Sequence, residues 1–325
     1  MKTLHIPGNI LLLGEYAILE EGGQGIAMGI APFVKATVEP AEGFTIIGST
    51  GSNTVFWDEK GGDPFLATAV TALTDSLKPI VNNNITELPL RIHLDSRAFF
   101  GSDGSKCGLG SSAAVVVALV VAVINYLHEK QHKNEVVHKF PVDLLQTVVD
   151  VHRAVQGGQG SGYDVAASLY GGMGLFTGGK KPQWHAFSPP FFPSLQLFRG
   201  KKSVSTLKAI THFEQFRHRN PHAFNDFIQA SNHIVRAFVK ATSWQTMHAV
   251  LEEARQLALT FGNHIHVPAL PPSDTLFATD SVTKCLGAGD ELIALFSNPV
   301  HSLVYDHAWL AQVAPKKSEG LVYYP

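Results

Sequence analysis

The chain has 325 residues, enough to bury two hydrophobic cores, so length sets an expectation of two domains. Its charged fraction of 16% is low against the roughly one quarter of ordinary globular chains, and a net charge of -2 offers no basic surface. Nucleic acid and anionic membrane are therefore disfavoured as partners, and a small-molecule substrate is favoured. The two cysteines, Cys107 and Cys285, make neither a disulfide framework nor a zinc motif; unpaired thiols point to a reducing, cytoplasmic setting. The opening "MKTLHIPGNILLLGEYAIL" does not read as a signal peptide, since Gly14 and Glu15 cut its apolar run short. The longest uninterrupted apolar run, Ala113–Ile124, is too short to span a bilayer, so a soluble chain is expected.

Taken in order, "QGIAMGIAPFVKATVEP" reads as a strand, with alternation over Phe33–Val38. "FTIIGS" and "TVFWD" form a hairpin about Gly48–Asn53. "DPFLATAVTALTDSL" is a helix with Asp63 as N-cap and Pro64 at its first position. "LPLRIHLDS" is a strand that leads into the loop Phe99–Gly110 and an apolar helix from about Ser112. A second helix, about Pro141–Gln156, runs into "QGGQGSGYDVAASLYGGMGLFTGG". The Gly/Pro/aromatic stretch from there to Pro193 is the candidate interdomain crossing. It gives an N-terminal domain over 1–185 and a C-terminal domain over 186–325. "LQLFRG" reads as a buried strand, followed by helical patterns at about Ser205–Arg217, Ala223–Ala241 and Ser243–Phe261. "HIHVP" (His264–Pro268) reads as strand or loop, not as a metal site, because no third ligand stands at sensible spacing. The last strand-like segment is "GLVYY". Strands and helices interleave throughout, so the class is α+β or α/β.

Three glycine-rich loops carry the chemical signal: Pro7–Tyr16, Gly108–Ala114 and Leu286–Leu295. In the second, "GLGSSAA", glycines let backbone N–H groups turn inward as an anion-binding nest, and the following helix adds its free N–H groups and dipole. Ser111 and Ser112 offer hydroxyls to phosphate oxygens or a lone pair to magnesium. A polar mouth on so apolar a helix suits a nucleotide phosphate; plain serine capping is the alternative. The loop is not a Walker A sequence, which would end in Gly-Lys-Ser/Thr. In "GSGYDVAAS" (Gly160–Ser168), Asp164 is placed to accept a proton from a group attacking a γ-phosphate; its alternative role is as a helix cap.

With these pieces in this order, the sequence resembles the GHMP kinase superfamily of galactokinases, homoserine kinases, mevalonate kinases and phosphomevalonate kinases. "PGNILLLGEYAIL" is similar to the first motif, "GLGSSAA" to the second and "GAGDELIALF" to a shortened third. Gly14-Glu15-Tyr16, the run Val151–Gly172 and "GKKSVSTLKAI" (Gly200–Ile210) most resemble the phosphomevalonate kinase branch. The absence of an acid between Asp150 and Asp164 argues against the mevalonate kinase branch.

The resemblance implies an N-terminal domain like the second domain of ribosomal protein S5, a ferredoxin-like C-terminal domain and an active site between them. It implies ATP and magnesium as cofactors, a small-molecule acceptor, and a monomer or homodimer. Gly108, Leu109, Gly110, Ser111, Ser112 and Ala113 would cradle ATP, with Ser112 also on the metal. Asp164 would be the base, joined in catalysis by Asn9. Glu15, Tyr16, Ser161, Gly162, Ser205, Thr206 and the third loop's Gly287, Ala288 and Gly289 would surround the acceptor. Lys201 and Lys202 would hold its existing phosphate, or form a solvated pair on a loop. Two positions depart from the pattern. Asn9 stands where mevalonate and phosphomevalonate kinases usually carry lysine, with Lys35 and Lys106 as possible substitutes. Asp290 and Glu291 follow the third loop directly.

Overall fold

The computed structural model describes residues 2–79, 84–131, 143–199, 206–267, 269, 280–287, 292–299 and 309–312. Its elements fall into two compact units, each assembled from more than one stretch of chain. Within the described residues the first unit comes from Met1–Asn9 and Gly29–Gly172, the second from Ile10–Met28 and Met173–Pro315. The sequence reading instead drew one cut at 185/186. The strands β1 (Lys2–Leu13) and β2 (Gln24–Pro40) each pass from one unit to the other.

In the first unit, β3 (Thr45–Thr50) and β4 (Asn53–Asp58) form the expected hairpin, closed at Thr50 opposite Asn53. A short β5 (Gly61–Gly62) follows, then α1 (Pro64–Leu77), β6 (Leu90–Asp95), α2 (Ser111–Gln131), α3 (Leu144–Val155) and α4 (Tyr163–Tyr170). The strand order is β5-β4-β3-β6-β2, with β3 parallel and β2 antiparallel to β6. Along β6, Leu90, Ile92 and Leu94 are buried while Arg91 is exposed, the period-2 pattern of a strand with one face in a core. Helix α1 begins as expected: the Asp63 carboxylate accepts from Leu66 N at 3.1 Å, and Pro64 occupies a position whose N–H has no helical partner.

Helix α3 packs against α1, α2 and α4, and α2 also lies on α4. Ala113, Ala114, every residue from Val116 to Ile124, and Leu127 are buried, which marks α2 as a core helix, apolar nearly all round. The run judged too short for a bilayer belongs to a longer element. Ser111–Lys130 has the length and composition to cross a membrane, and 67% of its most apolar window is buried within the protein.

In the second unit, residues Gln24–Met28 of β2 pair antiparallel with β7 (Met173–Thr177), which pairs with β8 (Gln183–Ala186). The stretch expected to cross between domains thus carries β8. A separate antiparallel sheet has the order β10-β11-β9-β12, from β9 (Ser194–Arg199), β10 (Ser281–Leu286), β11 (Leu292–Ser297) and β12 (Trp309–Gln312). Between β9 and β10 lie α5 (Thr206–Arg219), α6 (Pro221–Lys240) and α7 (Trp244–Ile265). Their shared core is aromatic: Phe213, Phe216, Phe224, Phe227 and Phe261 are buried together, and the Phe227 and Phe261 rings stack with centroids 3.7 Å apart.

Helix α7 opens on a reciprocal cap between Ser243 and Thr246. It also takes in the first two residues of His264–Pro268, read from sequence as strand or loop, while Val267 lies outside any element. His264 and Ile265 form the helix's last turn, because Ile265 lies four residues after Phe261 and continues its buried stripe. His266 ends the helix at φ 55. The strand-like 320–324 lies outside the described residues.

Candidate active site

The second glycine loop runs directly into the start of α2. Gly108 and Gly110 have φ of 75° and 73°. The first helical bond is Ala114 N to Gly110 O at 3.1 Å, which leaves the N–H groups of Ser111, Ser112 and Ala113 outside the helix's own ladder. These donors and the positive end of the helix dipole fall at the same terminus of α2, which suits an anion. Ser111 and Ser112 also line a cavity of ≈ 240 Å³ within the first unit, together with Thr50, Val55, Phe65, Leu66, Phe100 and Lys106. Lys106 is the one of the two proposed substitute cations that lines this cavity. Lys35 lies on β2 opposite Asp95.

Asn9 is 3% exposed and tied into the first unit on three sides. Its backbone N–H donates to Leu109 O at 3.0 Å. Its side-chain amide donates to Ser168 Oγ at 2.9 Å and to Gly110 O at 3.3 Å. An amide has two N–H hydrogens, and both have protein acceptors here. Asn9 therefore fastens β1 to the nest and to α4. Gly110 has to be glycine in this arrangement: a Cβ there would lie 2.1–2.4 Å from the Asn9 side chain, besides requiring a left-handed backbone.

Asp164 is in the first turn of α4, where the dipole complements negative charge, and its side chain is 20% exposed. One oxygen, Oδ1, accepts from Val165 N at 2.9 Å. The other, Oδ2, lies 3.5 Å from Nδ1 of His152, a ring on α3 that is 2% exposed. The residue at the cap position is Gly162, with φ 90°, so the alternative reading of Asp164 as the cap does not apply. A Cβ on Gly162 would come within 2.7 Å of Val149 on α3. Ser161 is buried, and its hydroxyl accepts from Tyr163 N at 3.4 Å. Arg153 holds the preceding loop, donating through Nε to Gly160 O at 3.0 Å and through Nη2 to Ser161 O at 3.3 Å.

In the second unit, Glu15, Tyr16 and Gly287 border one largely apolar cavity together with Phe227, Phe261 and Cys285. Glu15 is ion-paired with Lys284, which is buried in β10 and also donates to Cys285 O at 3.0 Å. Burial raises the Glu15 carboxyl above the usual carboxylate range, outweighing the attraction of Lys284. The Tyr16 ring packs on Phe213 and Phe261, each with centroids 5.6 Å away, and burial followed by the neighbouring Glu15 charge pushes its phenol up. Neither cysteine forms a disulfide. Lys201, Lys202, Ser205, Ala288, Gly289, Asp290 and Glu291 lie outside the described residues, as does the side chain of Thr206 at the start of α5.

Among the described residues no group of three or more His, Cys, Asp or Glu gathers as a metal cage. Magnesium keeps several waters and needs few protein oxygens beside substrate phosphates, and the Ser112 hydroxyl at the start of α2 is an oxygen of that kind. Sequence reasoning missed His152, Arg153, Ser168 and Lys284. Two of these had a signal: Lys284 is the one charge in the apolar strand "SVTKCL", and His152 is a polar residue on the buried stripe of α3.

Residues 66–172 match the GHMP kinases N terminal domain. A phosphomevalonate kinase from Streptomyces is 30% identical over 188 residues, covering 52% of this chain and 47% of the relative, so the match spans about half of that protein. A mevalonate kinase from Archaeoglobus fulgidus is 25% identical over 69% of this chain and 67% of its own. The structure of Streptococcus pneumoniae phosphomevalonate kinase, in complex with phosphomevalonate and AMPPNP, superposes with a TM-score of 0.69 at 18% identity, covering 91% of this chain and 92% of that one. At that identity the likeness speaks for the fold.

Proposed function

We propose that this chain, a member of the GHMP kinase superfamily of mevalonate-pathway type, transfers the γ-phosphoryl group of ATP to 5-phosphomevalonate. The observation that carries the reading is the pairing, within one unit, of a glycine–serine loop at the start of α2 with a carboxylate on α4 that is held at Oδ1 by Val165 N and faces His152 through Oδ2. The two are joined through Asn9, which bonds to both elements. The relative that is 30% identical is a phosphomevalonate kinase, and Gly14-Glu15-Tyr16 follows that branch.

In this reading the N–H groups of Ser111, Ser112 and Ala113 and the two serine hydroxyls bind the phosphates of ATP. The cavity walled by Val55, Phe65 and Phe100 takes the base. Magnesium, when bound through Ser112, neutralises charge on the phosphate oxygens. Asp164 takes the proton from the acceptor's phosphate oxygen, or orients that oxygen where it is already ionised. A phosphate acceptor needs less base catalysis than an alcohol, which accommodates an uncharged residue at position 9.

Asn9 also favours a second reading. With both amide hydrogens on protein acceptors, it offers neither a charge nor a free N–H to a phosphoryl group in flight, as befits a nucleotide-binding relative that transfers nothing. A coupled assay of ADP release separates the two, with ATP and magnesium and with phosphomevalonate, mevalonate, galactose and homoserine offered singly. Turnover with phosphomevalonate is the expected result. Turnover with mevalonate alone would move the acceptor, and ATP binding without turnover on any of the four would overturn the first reading and point to another acceptor or to the second reading.

A further inference from the structure

We infer that His152 is a positioning residue for Asp164: its ring fixes the direction in which the carboxylate faces. The inference rests on the proposed role of Asp164 for its catalytic consequence, and on geometry alone for the contact.

The His152 side chain is 2% exposed, and its Nδ1 is 3.5 Å from Asp164 Oδ2. Among the described residues its other nitrogen, Nε2, is buried with no hydrogen-bond partner. A polar atom buried without a partner destabilises a fold, and an apolar side chain of similar size would avoid the penalty. Stability therefore does not explain a histidine here, whereas a donor aimed at Asp164 does. The same two nitrogens indicate which one carries the hydrogen. With hydrogen on Nδ1, the ring presents a donor to the carboxylate and leaves only a lone pair at Nε2. With hydrogen on Nε2, a buried N–H would be orphaned and a lone pair would face a carboxylate. Unpaired acceptors are tolerated in interiors better than unpaired donors, so Nδ1–H is the consistent tautomer.

At 3.5 Å the contact is about half an ångström longer than a well-formed N–H···O bond, so the ring directs Oδ2 without clamping it. Val165 N holds Oδ1 from the helix side, and the two contacts together set the plane of the carboxylate. The neighbouring Arg153 grips the carbonyls of Gly160 and Ser161. The last turn of α3 thus supports both the loop before α4 and the acid within it.

The test compares His152→Leu, His152→Asn and Asp164→Asn with the unmodified chain. Asparagine places an amide N–H close to where Nδ1–H stood, whereas leucine fills the space alone. His152→Leu is expected to keep or raise Tm while kcat for ADP release with phosphomevalonate falls roughly 10- to 100-fold, the usual range for partners that orient a reacting group. KM for ATP is expected to stay within about 3-fold, as for an interaction that acts on the chemical step. His152→Asn is expected to recover most of kcat. Long-range 1H–15N NMR of the His152 ring, assigned by its loss in His152→Asn, is expected to show the Nδ1–H tautomer and a change in Asp164→Asn. Full kcat in His152→Leu, no recovery in His152→Asn, or an Nε2–H ring indifferent to Asp164→Asn would each overturn the inference. A chain that turns over no acceptor but shows the Asp164-sensitive Nδ1–H ring would support the positioning and overturn the functional reading alone.

Discussion

Replacing Gly110 by alanine should disturb the nest by two mechanisms that a second substitution separates. At φ 73° an L-residue costs about 1–2 kcal/mol in backbone strain. The added Cβ would also stand 2.1 Å from Asn9 Nδ2 and 2.4 Å from Oδ1 and Cγ. Real Cβ atoms do not sit that close, so the amide must shift away. The shift breaks its bonds to Ser168 Oγ and Gly110 O, leaving buried polar groups unpaired at about 1–3 kcal/mol. Gly110→Ala is therefore expected to destabilise the protein by about 2–5 kcal/mol. Asn9→Ala removes the clash but leaves the Ser168 hydroxyl without its donor, and is expected to cost about 1–3 kcal/mol. Once Asn9 is gone, Gly110→Ala retains only its backbone strain. The double variant should be more stable than the sum of the singles by about 1–3 kcal/mol. Urea unfolding of the four proteins, followed by tryptophan fluorescence, measures the cycle. Strict additivity, or a Gly110→Ala effect under about 0.5 kcal/mol, the ordinary range for a neutral surface site, would refute the packing of Asn9 on Gly110.

Further outcomes follow from the same geometry. Asp164→Asn should lower kcat with phosphomevalonate by about 10²- to 10⁴-fold, the usual loss of a general base, while ATP binding measured by calorimetry stays intact. Lys284→Met should destabilise by about 3–5 kcal/mol, because it leaves Glu15 buried without its cation, and adding Glu15→Gln should restore part of that in thermal melts. The Glu15 carboxyl is raised above its ordinary value of 4.5, so the folded state holds that proton longer than the unfolded chain does. The corresponding stability is fully present below pH 4.5 and is lost as pH rises through the folded value. The unfolding free energy of the unmodified chain relative to Glu15→Gln should therefore fall with pH across that window; a rise would contradict the assigned direction. Phe261→Ala removes the ring stacked on Phe227 and should cost about 3–5 kcal/mol, read from the urea midpoint.

Much of the fold was legible because local chemistry set it. Asp63-Pro64 announces the start of α1, the alternation of Leu90, Ile92 and Leu94 announces β6, and the glycines and serines of 108–112 announce both a nest and a helix. What was hidden depends on contacts between residues distant in sequence. No local signal assigns Ile10–Met28 to the second unit, since that follows from the pairing of β2 with β7, about 150 residues on. Asn9 was legible as a departure from a motif, but its attachment to Ser168 and Gly110 belongs to the tertiary structure. His152 lay inside a run already singled out for its resemblance, yet only the packing of α3 on α4 brings its ring to Asp164. The helical state of His264 leaves no local signal, because a non-glycine residue, His266, takes the left-handed position that ends α7 and no glycine marks the boundary.

The most direct measurement follows the transferred phosphoryl group itself. ATP, magnesium and 5-phosphomevalonate are incubated with the unmodified chain or Asp164→Asn, and the products are read by 31P NMR. The expected result is the paired resonances of a diphosphate ester, formed in step with ADP and lost in Asp164→Asn. ADP and inorganic phosphate without the ester, or an ester formed equally well by Asp164→Asn, would contradict the assignment of Asp164 as the group that delivers the acceptor to ATP.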